Sequence, residues 1–213
     1  MTNPVEKTFP QLLIEGAEDD PNRPCLVLPN ESATYGEMFR EALRIAKSLK
    51  YFGISKGDPV GILMANSVRY VESLFAISLL GALPVLYNGR FKSREISHVT
   101  KDSGIKIILT SDKADEFTNF AELLAKAIPG IHNSTDPQKT LELENYPDLQ
   151  RIVLFGKKEL AGFQNERHFF NKENNFNDQD ILSVAKGIDL GDIAIMLSLI
   201  HISDPTRRIE ISY

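Results

Sequence analysis

Cysteine is nearly absent: Cys25 is the single one in 213 residues. One thiol excludes an internal disulfide framework and a thiolate zinc site. Beside Leu26 and Val27 it reads as a small, half-buried hydrophobe. The four histidines, His98, His132, His168 and His201, are scattered and lack metal-ligand spacing. No Gly-x-Gly-x-x-Gly follows a strand and no Gly-x-x-x-x-Gly-Lys-Ser/Thr occurs, so both common phosphate-cradling loops are missing. A Gly-x-Ser-x-Gly elbow is missing too, which removes support for serine hydrolase chemistry. Positive charge is not in excess. The net charge of -5 leaves no basic stripe for nucleic acid. The start, Met1-Thr-Asn-Pro-Val-Glu-Lys, has no apolar core of a secretory signal. The most apolar stretch, Leu74 to Tyr87, is broken by Gly81 and Pro84 and falls short of the roughly 20 residues that span a bilayer. These absences predict a cytoplasmic protein with no nucleic-acid partner and no transmembrane segment.

What is present suits one substantial domain: 42% of residues are apolar and 25% charged. Thr8 to Ala17 reads as a short amphipathic helix, ended by Asp19-Asp20-Pro21-Asn22. Cys25–Leu28 and Ser32–Tyr35 read as the arms of a hairpin. From Tyr35 to Leu49, apolar residues fall on one helical stripe. Thr34 and Glu37 stand at capping-box spacing before it, and Gly53 is placed to end it in a left-handed conformation. Pro59 to Ala65 is a continuous apolar run, as expected of a strand covered on both faces. Further strands are expected at Leu83–Tyr87, Ile105–Leu109, Arg151–Phe155 and Ile193–Leu197. Helices are expected at Ser67–Leu80, Arg94–Lys101 and Ala114–Ile128. The alternation predicts an α/β fold, a mostly parallel sheet flanked by helices. His132–Leu149 and Gln164–Asp180 are rich in Asn, Asp, Glu and Gln and are expected to be surface connections with little to bury.

An ordered constellation runs between Ser32 and Thr110. It comprises Thr34-Tyr35-Gly36-Glu37-Met38; Gly53-Ile-Ser-Lys-Gly57-Asp58-Pro59-Val60 with its apolar strand; Gly81-Ala-Leu-Pro-Val-Leu-Tyr-Asn88; Glu95-Ile96; and Asp102-Ser103 before Ile107-Ile-Leu-Thr110. Each piece taken separately is explained by a helix stop, a tight turn or a close packing contact. The order is not. It resembles the amino-terminal region of the adenylate-forming (AMP-binding) superfamily, which includes acyl-CoA synthetases, peptide-synthetase adenylation domains and firefly-type luciferases. The resemblance implies a partial amino-terminal domain over residues 1–197. It also implies that Asn88 and Arg90, after a strand end where open α/β sheets place ligands, lie near the substrate cleft. Helix capping or a local salt bridge is the other reading of these two residues. Gly89 departs from the Pro or other small residue frequent there in the family.

Gly191-Asp-Ile-Ala-Ile-Met-Leu197 resembles the family's strand before its phosphate loop. The family then continues into Ser-Gly-Thr-Thr-Gly-x-Pro-Lys-Gly, whereas no glycine or lysine follows Gly191 here. Residues 197–213 resemble translated sequencing adapter instead: Leu197 to Arg207 match it save Asp204, where the adapter encodes Glu. The expectation is a non-native tail over 198–213, with a divergent natural tail as the alternative.

For a full-length parent, the resemblance implies an AMP-forming acid–thiol ligase of the acyl-CoA synthetase kind found in fatty acid metabolism. Its partners would be a small-molecule carboxylic acid, ATP and coenzyme A, with Mg2+ as cofactor. Its catalytic groups would lie beyond Leu197, so no catalytic residue is assigned and the fragment is expected to be inactive. Two other readings stay open: a fragment of a peptide-synthetase adenylation domain, and a stand-alone flavodoxin-like binding module.

Overall fold

The computed structural model describes residues 6–113, 119–134, 136 and 139–197; residues 198–213 lie outside them. Helix α1 (Phe9–Asp19) starts at a reciprocal cap: Thr8 Oγ1 accepts from the Gln11 N–H, and Gln11 Oε1 accepts from the Thr8 N–H. Strands β1 (Pro24–Val27) and β2 (Ser32–Thr34) form an antiparallel hairpin of their own. Helix α2 (Tyr35–Tyr51) opens on the expected Thr34–Glu37 capping box. Gly53, at φ 85°, then turns the chain in the left-handed region.

The main sheet is parallel throughout and has the order β7-β6-β5-β3-β4-β8. Its strands are β3 (Pro59–Leu63), β4 (Leu83–Leu86), β5 (Ile107–Ser111), β6 (Arg151–Phe155), β7 (Gln164–Asn165) and β8 (Met196–Leu197). The connecting helices are α3 (Val68–Leu79), α4 (Ser93–Asp102), α5 (Phe120–Ala127), α6 (Glu166–Phe170) and α7 (Asp178–Ala185). Strand side chains alternate between two cores. Val60, Ile62, Ile107, Leu109, Val153 and Phe155 face α1, α2, α3, α6 and α7. Leu63, Ile108, Ile152 and Leu154 face α4 and α5. This two-sided burial is why the strands read as unbroken apolar runs. Ile62, Leu63 and Ile108 are fully buried, as their runs require. Within β3, Gly61 leaves room for the Tyr87 ring: a Cβ there would stand 2.8 Å from Tyr87 Cε2.

Several expectations need correction. Gln164–Asp180 is not a surface connection. It supplies β7, α6 and the start of α7, and buries Phe169 completely. The polar residues there cap and face solvent, while a few widely spaced apolar ones reach the core. His132–Leu149 does run without sheet or α-helix among the described residues, yet Leu141, Tyr146 and Leu149 are buried and pin it down. The strand expected over Ile193–Leu197 shrinks to Met196–Leu197, with Ile193 70% exposed. Among the described residues it pairs with β4, and Leu197 is also exposed, so an apolar sequence does not by itself bring burial. The helix expected from Ala114 covers Phe120–Ala127, capped by Asn119; residues 114–118 lie outside the described ones.

Candidate functional site

The chain passes from β3 to its neighbour β4, then returns to place β5 on the other side of β3. The helices after β3 and β4 therefore leave on opposite faces: α3 packs in one core and α4 in the other. The strand order reverses at β3, which puts the topological switch point, the place where open α/β sheets hold ligands, at the carboxyl ends of β3 and β5.

Ala65–Ser67 follow β3 at that point, and Tyr87–Phe91 follow β4, the neighbour of β3 on its other side. Asn88, Gly89 and Arg90 are all exposed, and the buried Phe91 anchors the loop from below. Asn88 Oδ1 accepts from the Arg90 N–H at 2.9 Å, and the Asn88 carbonyl accepts from the Phe91 N–H at 2.9 Å. The pair thus forms an Asx turn. Neither capping nor a salt bridge accounts for these two residues. It is Glu95 that reaches back to the Lys92 N–H before α4, and Arg90 makes no ion pair among the described residues.

The opposite lip is already self-satisfied. Ser67 Oγ accepts from the Tyr70 N–H at 3.2 Å, and Glu31 Oε1 from the Val68 N–H at 2.8 Å. The N-terminal amides of α3 thus have intramolecular partners. Burial pushes the Glu31 carboxyl up, but the Val68 N–H and the Lys113 ammonium outweigh it and hold the group below its ordinary value. Behind the lip, Thr110 Oγ1 donates to the Leu63 carbonyl at 2.7 Å and ties β5 to β3. Under the Tyr87 ring, the phenol and Thr100 Oγ1 share a hydrogen bond of 2.7 Å, and burial pushes the phenol's pKa upward.

A charged cluster that the sequence reading did not single out sits beside this edge. The Arg69 guanidinium lies 3.1 Å from Glu72, 3.3 Å from Glu166 and 3.4 Å from Glu41. Arg44 bridges Glu41 at 3.0 Å and Glu173 at 2.7 Å. Glu166 also accepts from the Gly156 N–H at 2.8 Å. Together these bonds tie α2, α3, α6 and the end of β6. Burial pushes the Glu72 carboxyl up to about 6; Arg69 opposes this, and Glu41, Glu31 and Glu166 add to it. The only local signal was Arg69-x-x-Glu72, one helical turn apart in an otherwise apolar helix.

Among the described residues no three His, Cys, Asp or Glu side chains are placed to hold a metal ion. The bound amides of α3 and the lack of a phosphate loop likewise leave no cradle for a triphosphate. Nor is any helix of the described residues long and apolar enough to cross a membrane.

Residues 13–179 match the family described as AMP-binding enzyme. A fatty acid–[acyl-carrier-protein] ligase, ScoC, of Streptomyces coeruleorubidus is 32% identical over 127 residues, covering 60% of this chain and 24% of that protein. The 4-coumarate–CoA ligase 3 of Arabidopsis thaliana is 37% identical over 106 residues, covering 48% of this chain and 19% of that protein. Among solved structures, an anthranilate CoA ligase, AuaEII, in complex with anthranoyl-AMP superposes with a TM-score of 0.63 at 23% identity. It covers 82% of this chain and 29% of that one, and speaks for the fold. The chain thus spans less than a third of the length of the relatives it matches. With the ordered motifs, the parallel sheet and the match across 13–179 in agreement, the chain belongs to the AMP-binding enzyme family, as the amino-terminal region of an acyl-CoA-ligase-like member.

Proposed function

We propose that residues 1–197 are part of an ATP-dependent carboxylate ligase. In the full-length parent, a carboxylate would attack the α-phosphate of ATP to give an acyl-adenylate and pyrophosphate, and the acyl group would then pass to the thiol of coenzyme A. The observation that carries this reading is the family match over 13–179, taken with the chain's share of under a third of its relatives. The described residues do not fit a magnesium ion or a triphosphate, so ATP and Mg2+ are assigned to the part of the parent beyond Leu197. The contribution of this chain is one wall of the substrate cleft, with Asn88 and Arg90 as candidate contacts. Their support is their exposure just past the carboxyl end of β4, the strand beside the switch-point strand β3. Residues 198–213 are proposed to be a non-native tail.

Two measurements test this. Carboxylate-dependent ATP–pyrophosphate exchange by the isolated chain should equal a no-enzyme blank, because transition-state stabilisation requires groups it lacks; exchange clearly above the blank overturns the claim of inactivity. Reading the gene beyond Met196 from an independent copy should reveal a Ser/Thr/Gly-rich loop ending in Pro-Lys-Gly. A stop codon there would support the stand-alone module instead.

A further inference from the structure

Four of the six large apolar side chains exposed among the described residues stand on one edge of the fold. Leu12, Leu190 and Ile193, exposed by 45%, 56% and 70%, line one groove. It runs between the start of α1, the turn at Gly81–Ala82 and the segment before β8. Leu197, 63% exposed, continues the surface. It pairs in register with Leu86, which packs on the side of α1 and α3, and such partners point the same way. The polar groups of the rim already have partners. Lys7 pairs with Glu15 and Asp192 with Lys56, while Asp189 accepts from the Gly191 N–H and Ser78 Oγ donates to the Leu74 carbonyl. At about 220 Å³ the groove falls below the roughly 300–1,000 Å³ of small-molecule sites. It suits the anchoring side chains of a packed segment.

The strand order says which segment belongs there. β8 is the outer strand of the sheet, with no partner beyond it among the described residues. Crossovers between parallel strands are right-handed, so the direction of travel along the sheet decides the face of the helix. The connections β3 to β4 and β7 to β8 advance toward the β8 edge, and they carry α3, α6 and α7 on the α1 side. The connections β4 to β5 and β5 to β6 run the other way and carry α4 and α5 on the opposite side. A crossover from β8 to a strand beyond it therefore lays its helix on the α1 side, over Leu12, Leu190, Ile193 and Leu197.

We propose that this face is the seat of an amphipathic helix supplied by the parent chain beyond Leu197, its apolar side chains filling the groove. This rests on the ligase reading above, which supplies the parent: the chain spans less than a third of the length of its relatives. A contiguous apolar surface at the edge of a sheet is covered when such a helix packs on it.

Cysteine reporters test it, in the 213-residue chain and in the intact parent from an independently cloned gene. Mass spectrometry follows N-ethylmaleimide labelling at each site. In the 213-residue chain, Leu12→Cys and Ile193→Cys should react as fast as Lys126→Cys, an exposed position on α5 and the opposite face. In the parent both should slow by at least about a hundredfold relative to Lys126→Cys, the ratio that burial of aliphatic side chains supports. Leu190→p-benzoylphenylalanine should cross-link in the parent to residues beyond Leu197 spaced three or four apart, as one helical face presents them. Reporters that stay reactive in an intact parent, or no cross-link beyond Leu197, overturn the proposal and leave the ligase reading standing. Protection in the 213-residue chain that grows with its concentration makes a second copy the occupant, and protection lost on deleting residues 198–213 makes it the tail; either overturns the proposal. A stop codon after Met196 overturns both readings together.

Discussion

Glu72→Gln tests the energetics of the charged cluster directly. Glu72 is 6% exposed, and its carboxyl is 3.1 Å from Arg69. Burial outweighs that attraction and raises the carboxyl from 4.5 to about 6. The folded chain thus holds this proton more tightly than the unfolded chain. Stability from this group is fully present below pH 4.5 and is lost as pH rises through about 6. At 1.36 kcal/mol per pH decade, the loss is about 2 kcal/mol. Glutamine keeps the shape and cannot ionise, so the variant escapes the loss. Urea unfolding of both proteins, followed by circular dichroism from pH 4 to 8, gives the stability difference at each pH. That difference should shift in favour of the variant by about 2 kcal/mol across the range, most steeply between pH 4.5 and 6. Glu31 and Asp58, which the structure holds below their ordinary values, lose stability as pH falls. Both proteins contain them, so their effect cancels. A difference that stays flat would show that Glu72 is not desolvated. One that moves the other way would show that the Arg69 pair outweighs burial.

Four further perturbations address the packing and the tail. Gly61→Val should cost about 1–3 kcal/mol in urea unfolding, because a Cβ there meets the Tyr87 ring at 2.8 Å and Ile105 Cδ1 at 3.3 Å; a neutral result would refute the close approach. Phe169→Ala should cost about 3–5 kcal/mol, since the ring is fully buried and packs on Phe52, Phe155 and Phe170. Asn174→Ala, in the same polar stretch, should stay within about 0.5 kcal/mol. Deleting residues 198–213 should change stability by no more than about 1 kcal/mol; a loss of several kcal/mol, or the same tail in an independently cloned gene, would sink the non-native reading.

Local signals were enough for the central strands and most helices. Thr34 and Glu37 cap α2, Ser67 caps α3, and the runs at β3, β5 and β6 are buried on both faces, because caps and side-chain periodicity act within a few residues. The position of Asn88 and Arg90 just past a strand end was legible in the same way, as an apolar run followed by polar residues. The rest depended on partners distant in sequence. Phe169 enters the core from a stretch whose composition is that of a loop, since the α2–α3 layer gives it a surface to cover. Ile193 has a strand's sequence yet remains exposed: among the described residues the pairing of that segment with β4 covers Met196 and Leu197, and Ile193 lies before it. Arg69 meets Glu41 and Glu166 only once α2, α3 and α6 are packed. The same holds for Gln164 Oε1 and His168 Nδ1, buried without a hydrogen-bond partner among the described residues: apolar patterning records which residues leave water, but which polar atoms are buried with them is decided when the elements meet.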